Sequence, residues 1–319
     1  MCHGFLRNSL SPEATARFQE LAATVSKNGA PTDMTAFADG YLGAFATGFH
    51  FAFGIAIFAM LISLVIYLAN KRKLPDPRKL TASGATSDPH TVRMAAEVKK
   101  RIWALIAVYA VVIFFWFSFH QNGLTLTFFA KDYTLLKIGS LDLSAEIFQS
   151  MNPFFVVFLT PAVLAFFGWM RANGREPSTP AKIAIGMGIA ATAYLVMMLG
   201  SLNLPSAAEV EAMGGLPDSE SVTPFLLIGT YLILTIAELF ISPLGISFVS
   251  KVAPPQYQGL MQGGWLGATA IGNQLLFIGA VLYQTIPIWL TWGMFVVVCL
   301  ISMIVMFSML KWLNRITKQ

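Results

Sequence analysis

Charge is what this sequence has least of. Asp, Glu, Lys and Arg make up 12% of its 319 residues, against about 25% in an ordinary soluble domain. The hydrophobic share is 56% and the mean hydropathy +0.66. That deficit excludes a soluble enzyme and points to an integral membrane protein. Cysteine is scarce too. Cys2 and Cys299 lie far apart, the second in an apolar run, which excludes a disulfide framework, a zinc site and thiol chemistry. No histidine or carboxylate sits at ligand spacing from another within the apolar runs, so no metal and no other cofactor is expected. Residues 1–10 lack the apolar core of a secretory signal.

What the chain has in abundance is apolar runs. A spanning helix needs about 20 predominantly apolar residues. Seven candidates fall at 46–70, 101–122, 148–171, 181–203, 224–249, 259–283 and 287–311. Residues 11–29 precede them as a predicted surface helix, with Ser11 as N-cap, Pro12 in the first turn and Gly29 as terminator. Residues 1–45 then form an outer loop carrying that helix, and 46–70 is a lone span. The polar, proline-containing stretch 71–100 is an inside linker, and 101–319 is a six-helix bundle.

The net charge of +5 comes from basic residues gathered on one side. With the N-terminus outside, 16 of the 21 Lys and Arg fall in inside segments and 5 outside, which is the positive-inside pattern. Glu209, Glu211, Asp218 and Glu220 cluster in one outer loop. A nucleic-acid footprint needs a basic face on a soluble module; none is visible, so no nucleic-acid partner is expected.

Few ionisable residues interrupt the spans. They are His120 and Glu238, with His50 near the outer edge of the first span. A charge at mid-membrane costs about 2.5–3.5 kcal/mol on insertion scales and usually faces an interior cavity. Tyr231, Thr235, Glu238, Ser242 and Gly245 repeat at helical spacing, a polar and small stripe among apolar neighbours. Trp116, His120, Gly123 and Thr127 share another face, with Gln121 and Asn122 adjacent. Histidine titrates near neutral pH and is suited to carrying a proton. Gly259, Gly263 and Gly267 predict a small-residue ridge for close helix contact, with Gln262, Trp265, Thr269 and Asn273 on a neighbouring face. In residues 152–161, NPFFVVFLTP, an asparagine and two prolines enter one span. Such interrupted helices are common near transporter binding sites.

These motifs resemble a known family. IAELFISPLGISFVSKVAPPQYQGLMQGGWLGATAIGN is similar to the tenth and eleventh helices of the proton-dependent oligopeptide transporters, within the major facilitator superfamily. FFWFSFHQNGLTLTFFA, FQSMNPFFVVFLTP and GFHFAFGIAIFAMLI resemble its seventh, eighth and sixth helices. The resemblance implies an all-α membrane protein with a major facilitator-type bundle, its seven spans equivalent to helices six to twelve of a twelve-helix transporter. Helices one to five would be missing partners. It implies alternating-access symport of di- or tripeptides driven by a proton gradient in a plasma (bacterial inner) membrane, with the C-terminus cytoplasmic. Glu238 would receive the peptide's amino group, Asn152 would contact its backbone, and Ser242 and Trp265 would line the pocket. His120 stands where the family has an acid for proton coupling and gating, so His120 and Glu238 would share the proton. Gln256 and Gln258 stand where relatives often have basic residues.

Two other readings fit the span count. One is a different solute transporter of the same superfamily. The other is a seven-helix receptor or sensor, which would function from this chain alone; the peptide-transporter reading expects this chain alone not to transport. A membrane-embedded enzyme would need two or more catalytic groups close together, and the helix-mates of His120 and Glu238 supply none.

Overall fold

The computed structural model describes residues 34–71, 91–139 and 141–317. The predicted helix over 11–29 and residues 72–90 of the linker lie outside this range. The chain divides into two units, Met1–Lys79 and Leu80–Gln319.

In the first unit, α1 is a single helix over Met34–Asn70. Its apolar part, Ala46–Asn70, coincides with the first predicted span. The helix starts well before it, inside the stretch expected to be loop. Residues 34–45 include three alanines and contain no proline, so nothing breaks the helix ahead of the membrane-length segment. Thr47 and Asn70 bond back to the carbonyls of Gly43 (2.8 Å) and Ile66 (2.9 Å), which satisfies their polar groups within the helix itself.

The second unit holds the other six spans. α2 runs Thr91–Phe119. A 3-10 turn, His120–Gly123, then joins it to α3, Thr125–Tyr133. The helix thus starts inside the predicted linker, where Met94, Ala95, Ala96 and Glu97 are good helix formers. The span also continues past the predicted end at 122, to Tyr133, because Thr125, Leu126, Phe129, Ala130 and Tyr133 give α3 a buried face. A two-residue hairpin, β1 Lys137–Ile138 and β2 Leu141–Asp142, leads to a 3-10 turn at Ala145–Ser150. Then come α4 Met151–Ala172, α5 Thr179–Gly200, α6 Ala207–Met213 and α7 Pro224–Val252. α8 Gln258–Gln274, α9 Leu276–Thr285 and α10 Ile288–Thr317 complete the chain.

α5 is the packing centre, lying against α7 and α10. Lipid tails are as apolar as leucine, so close fit rather than water exclusion holds such helices together. Gly186 of α5 lets the α7 backbone approach: a Cβ there would stand 3.0 Å from the carbonyl oxygen of Ala237. Tyr194, Trp292 and Phe295 form an aromatic cluster between α5 and α10, and Tyr194 donates to the Ser118 carbonyl at the end of α2.

α8 packs on α2, but not along the predicted ridge. A Cβ on Gly259, Gly263 or Gly267 would meet nothing within 4 Å among the described residues. The seam runs along Met261, Trp265, Ala268 and Gly272, its buried residues, with Gly264 beside it against Tyr109. A Cβ on Gly264 would lie 2.8 Å from the Tyr109 ring, and one on Gly272 2.9 Å from the Ile113 carbonyl oxygen. One residue rotates a helix face by about 100°, so the two small-residue rows point in different directions although both have helical spacing.

At the end of α4, Glu176 receives two bonds from Arg171 (2.6 and 2.8 Å) and one from Lys182 (2.5 Å). The Lys182 ammonium also lies 4.0 Å above the Phe167 ring, and the residue is 4% exposed. The bonds from Arg171, then Lys182, hold the Glu176 carboxyl down at about 2. A carboxyl depressed by folding stabilises the fold above its unfolded pKa, near 4.3, and loses that contribution as pH falls toward the folded value. Glu176→Gln leaves Lys182 without its counter-charge and is expected to cost about 1–3 kcal/mol at neutral pH. Thermal unfolding in detergent at pH 7 and pH 3 checks it: the gap between parent and variant should narrow at pH 3, and a constant gap would show that the carboxylate is not its source.

Candidate functional site

The polar stripe is organised around one hydrogen-bonded group on α7 and α4. The N-cap Thr223 and Pro224 in the first turn start α7, and the helix continues through Pro243. Along it Tyr231 and Thr235 are fully buried, while Glu238 and Ser242 are half-buried. Gly245, a further turn along, takes the Trp265 indole directly on its backbone. A Cβ there would stand 2.0 Å from the ring.

α4 brings Asn152 to this stripe. Asn152 and Pro153 lie in its first turn, where proline needs no intrahelical donor. The helix stays continuous through Pro161. From this position the Asn152 amide donates to Glu238 Oε2 at 2.9 Å and to Thr235 Oγ1 at 3.1 Å. Thr235 in turn donates to the Tyr231 carbonyl at 2.7 Å, and the Tyr231 hydroxyl to the Asn122 carbonyl at 2.5 Å. A carboxylate, an amide and a hydroxyl therefore meet between α4 and α7, and the chain of bonds reaches the turn that carries His120.

His120 opens that turn. Its ring stacks on Trp116, centroids 4.9 Å apart, and meets Phe119 edge-on. Nδ1 lies 3.1 Å from the Trp116 carbonyl oxygen. A carbonyl only accepts, so Nδ1 carries the hydrogen and Nε2 is the nitrogen that gains or loses a proton. Asn273 of α8 is its side-chain neighbour. No hydrogen bond joins His120 to Glu238 among the described residues. Trp265, 2% exposed, is wedged between Gly245 and Tyr109, with the two rings edge to face at 6.3 Å. Thus Glu238, Asn152 and the stripe around Ser242 converge, Trp265 packs at the stripe's far end, and His120 is tied to it through Tyr231.

The turn itself is pinned by Gln121. Fully buried, it donates to the Leu276 carbonyl at 3.4 Å and accepts from the Thr125 hydroxyl. Its amide fills the notch above Gly279, where a Cβ would lie 2.4 Å away. Leu276 follows the break between α8 and α9, so Gln121 joins two interrupted helices. Gln258 and Gln262 play a humbler part, tying α8 to Ser250 of α7. Tyr109, whose hydroxyl donates to the Met261 carbonyl at 2.6 Å, also went unremarked in the sequence. Its signal was spacing: it lies two turns before Trp116 on the same helix face.

This arrangement can be set beside known proteins. The PTR2 profile of the POT family matches residues 76–291, more than half of the chain. The chain belongs to the POT family. Dipeptide and tripeptide permease B of Xenorhabdus bovienii is 26% identical over 333 aligned positions, covering 85% of this chain and 64% of the permease. The uncharacterized transporter YclF of Bacillus subtilis is 29% identical over 59% of this chain and 35% of its own length. Peptide transporter YePEPT of Yersinia enterocolitica is 29% identical over 57% of this chain and 34% of its own. The chain thus spans between one third and two thirds of these relatives. Among solved structures, a peptide transporter POT in complex with sulfate matches 97% of this chain and 56% of its own, with 22% identity and a TM-score of 0.60. A POT family transporter in complex with 5-aminolevulinic acid matches 84% of this chain at a TM-score of 0.56 and 17% identity. This POT family chain is accordingly a multi-pass membrane protein with a major facilitator-type fold. Its relatives are transporters rather than enzymes.

Proposed function

We propose that this chain supplies the C-terminal bundle and the sixth helix of a proton-coupled symporter for di- and tripeptides. The observation that carries the reading is the Asn152–Glu238 bond at 2.9 Å on a half-buried polar stripe. A carboxylate held at a bundle edge is a receptor for a cationic amino group, and partial desolvation strengthens the charge-assisted contact. Glu238 receives the peptide's ammonium, Asn152 contacts the peptide backbone, Ser242 lines the pocket, and Trp265 closes its far end. Helices one to five, as in twelve-helix relatives, supply the opposite wall, and the two bundles rock about the bound peptide. The basic excess of residues 71–101 and of the C-terminal end supports an inside linker and a cytoplasmic C-terminus in a bacterial inner membrane.

His120 is proposed to take part in the proton path together with Glu238. Nε2 can take up and release a proton while Nδ1 stays on the Trp116 carbonyl. The test is dipeptide uptake against external pH for the parent transporter and His120→Gln. The variant is expected to lose the alkaline limb of the pH profile. An unchanged profile would remove His120 from the proton path.

A further inference from the structure

Asn152 has one amide, two acceptors in front of it, and no freedom to choose between its ends. Thr235 is fully buried and gives its only hydrogen to the Tyr231 carbonyl, 2.7 Å away. Toward Asn152 it is therefore an acceptor. Glu238 Oε2 is an acceptor as well. The amide nitrogen must face both, at 3.1 and 2.9 Å. The reversed amide would set its oxygen against two acceptors and leave both N–H groups unpaired. Both amide hydrogens are thus committed, and Asn152 Oδ1 is its remaining hydrogen-bonding group. Neither Oδ1 nor Glu238 Oε1 has a hydrogen bond among the described residues.

Thr235 and Glu238 differ in one respect. An incoming ammonium draws on the same Glu238 carboxylate that Asn152 bonds, so that bond weakens once a ligand is bound. The Thr235 acceptor is fully buried within the stripe and does not depend on the ligand. We propose that Thr235 is a positioning residue: it keeps the Asn152 amide oxygen directed at the ligand's amino group while Glu238 is occupied. This rests on the peptide-site reading above, moves the Asn152 contact from the peptide backbone to the amino group, and adds a selection rule. With the Asn152 oxygen and the Glu238 carboxylate both accepting from the ligand, the site takes an amino group carrying at least two N–H donors, and Thr235 maintains that preference without touching the ligand.

The experiment compares binding of Ala-Ala with its N,N-dimethyl derivative, which keeps the charge but has a single N–H, in the complete transporter. The parent should prefer Ala-Ala by at least about tenfold, because a site built to hydrogen-bond penalises a ligand that lacks the donor. Thr235→Val keeps the volume but removes the acceptor, and Thr235→Ala removes it with a smaller residue. Whichever of these folds should bind Ala-Ala about tenfold more weakly and prefer it by less than about threefold, while Thr235→Ser restores both values. Unchanged preference in the Val or Ala variant would overturn the inference. So would a Ser variant that behaves like Val, since packing alone would then be the cause. Glu238→Gln, measured alongside, separates the two levels. If it binds Ala-Ala as the parent does, the peptide-site reading falls and this inference with it; if it loses binding while Thr235→Val keeps the preference, only this inference falls.

Discussion

Glu238→Gln is expected to weaken dipeptide binding by about 30- to 4,000-fold, because truncating one partner of a desolvated charge pair costs about 2–5 kcal/mol and each 1.4 kcal/mol is a factor of ten. The glutamine keeps an oxygen in place, so the bond from Asn152 can persist and the fold should not suffer. What disappears is the negative charge opposite the ligand's ammonium. Glu238 is half-buried on a helix whose other faces are apolar, so water screens that charge only partly. Isothermal titration with Ala-Ala, at matched melting temperature, checks the expectation. A dissociation constant within a factor of three of the parent would show that the amino group is bound elsewhere.

Gly272→Ala should be the most destabilising of the small substitutions in α8. Its Cβ would meet backbone atoms, the Ile113 carbonyl oxygen at 2.9 Å and the Phe117 nitrogen at 3.0 Å, besides the Trp116 Cβ at 2.7 Å. Side chains can rotate away from such a contact, whereas backbones cannot. α8 and α2 would have to separate, at a cost of about 1–3 kcal/mol. The displaced wall carries Trp116, on which His120 stacks, so dipeptide uptake should fall with stability. Gly263→Ala is the control. Its Cβ meets nothing within 4 Å among the described residues, and alanine is favoured over glycine in a helix by about 1 kcal/mol. Melting temperatures in detergent should fall for the first and hold or rise for the second. The reverse order would restore the ridge at Gly259, Gly263 and Gly267.

That comparison marks where the sequence was legible. Span existence needed only length and hydropathy, and all seven predicted segments are seen as helices. The polar stripe was legible too, because Tyr231, Thr235, Glu238 and Ser242 stand out against an apolar background at helical spacing. The capping box of α6, where Ser206 and Glu209 bond to each other's backbone N–H (3.4 and 2.7 Å), could have been read from the S-x-x-E pattern. Other features depended on partners distant in sequence. Two small-residue rows in α8 have the same spacing, and the choice between them is made by Tyr109 and Trp116 of α2. The break at His120–Gly123 carries an Asn-Gly turn signal, but its geometry is set by distant partners, with Tyr194, Tyr231 and Gln121 holding it from the side. The role of Asn152 required knowing that α4 starts beside α7, and the orientation of its amide required the bond from Thr235 to Tyr231.

Peptide symport is tested most directly by the accumulation of labelled Ala-Ala in proteoliposomes containing the complete transporter, under an inward proton gradient. Uptake above equilibrium is expected, collapsing when a protonophore dissipates the gradient and absent in Glu238→Gln. Failure to accumulate the dipeptide, or accumulation that ignores the collapse of the gradient, would contradict it.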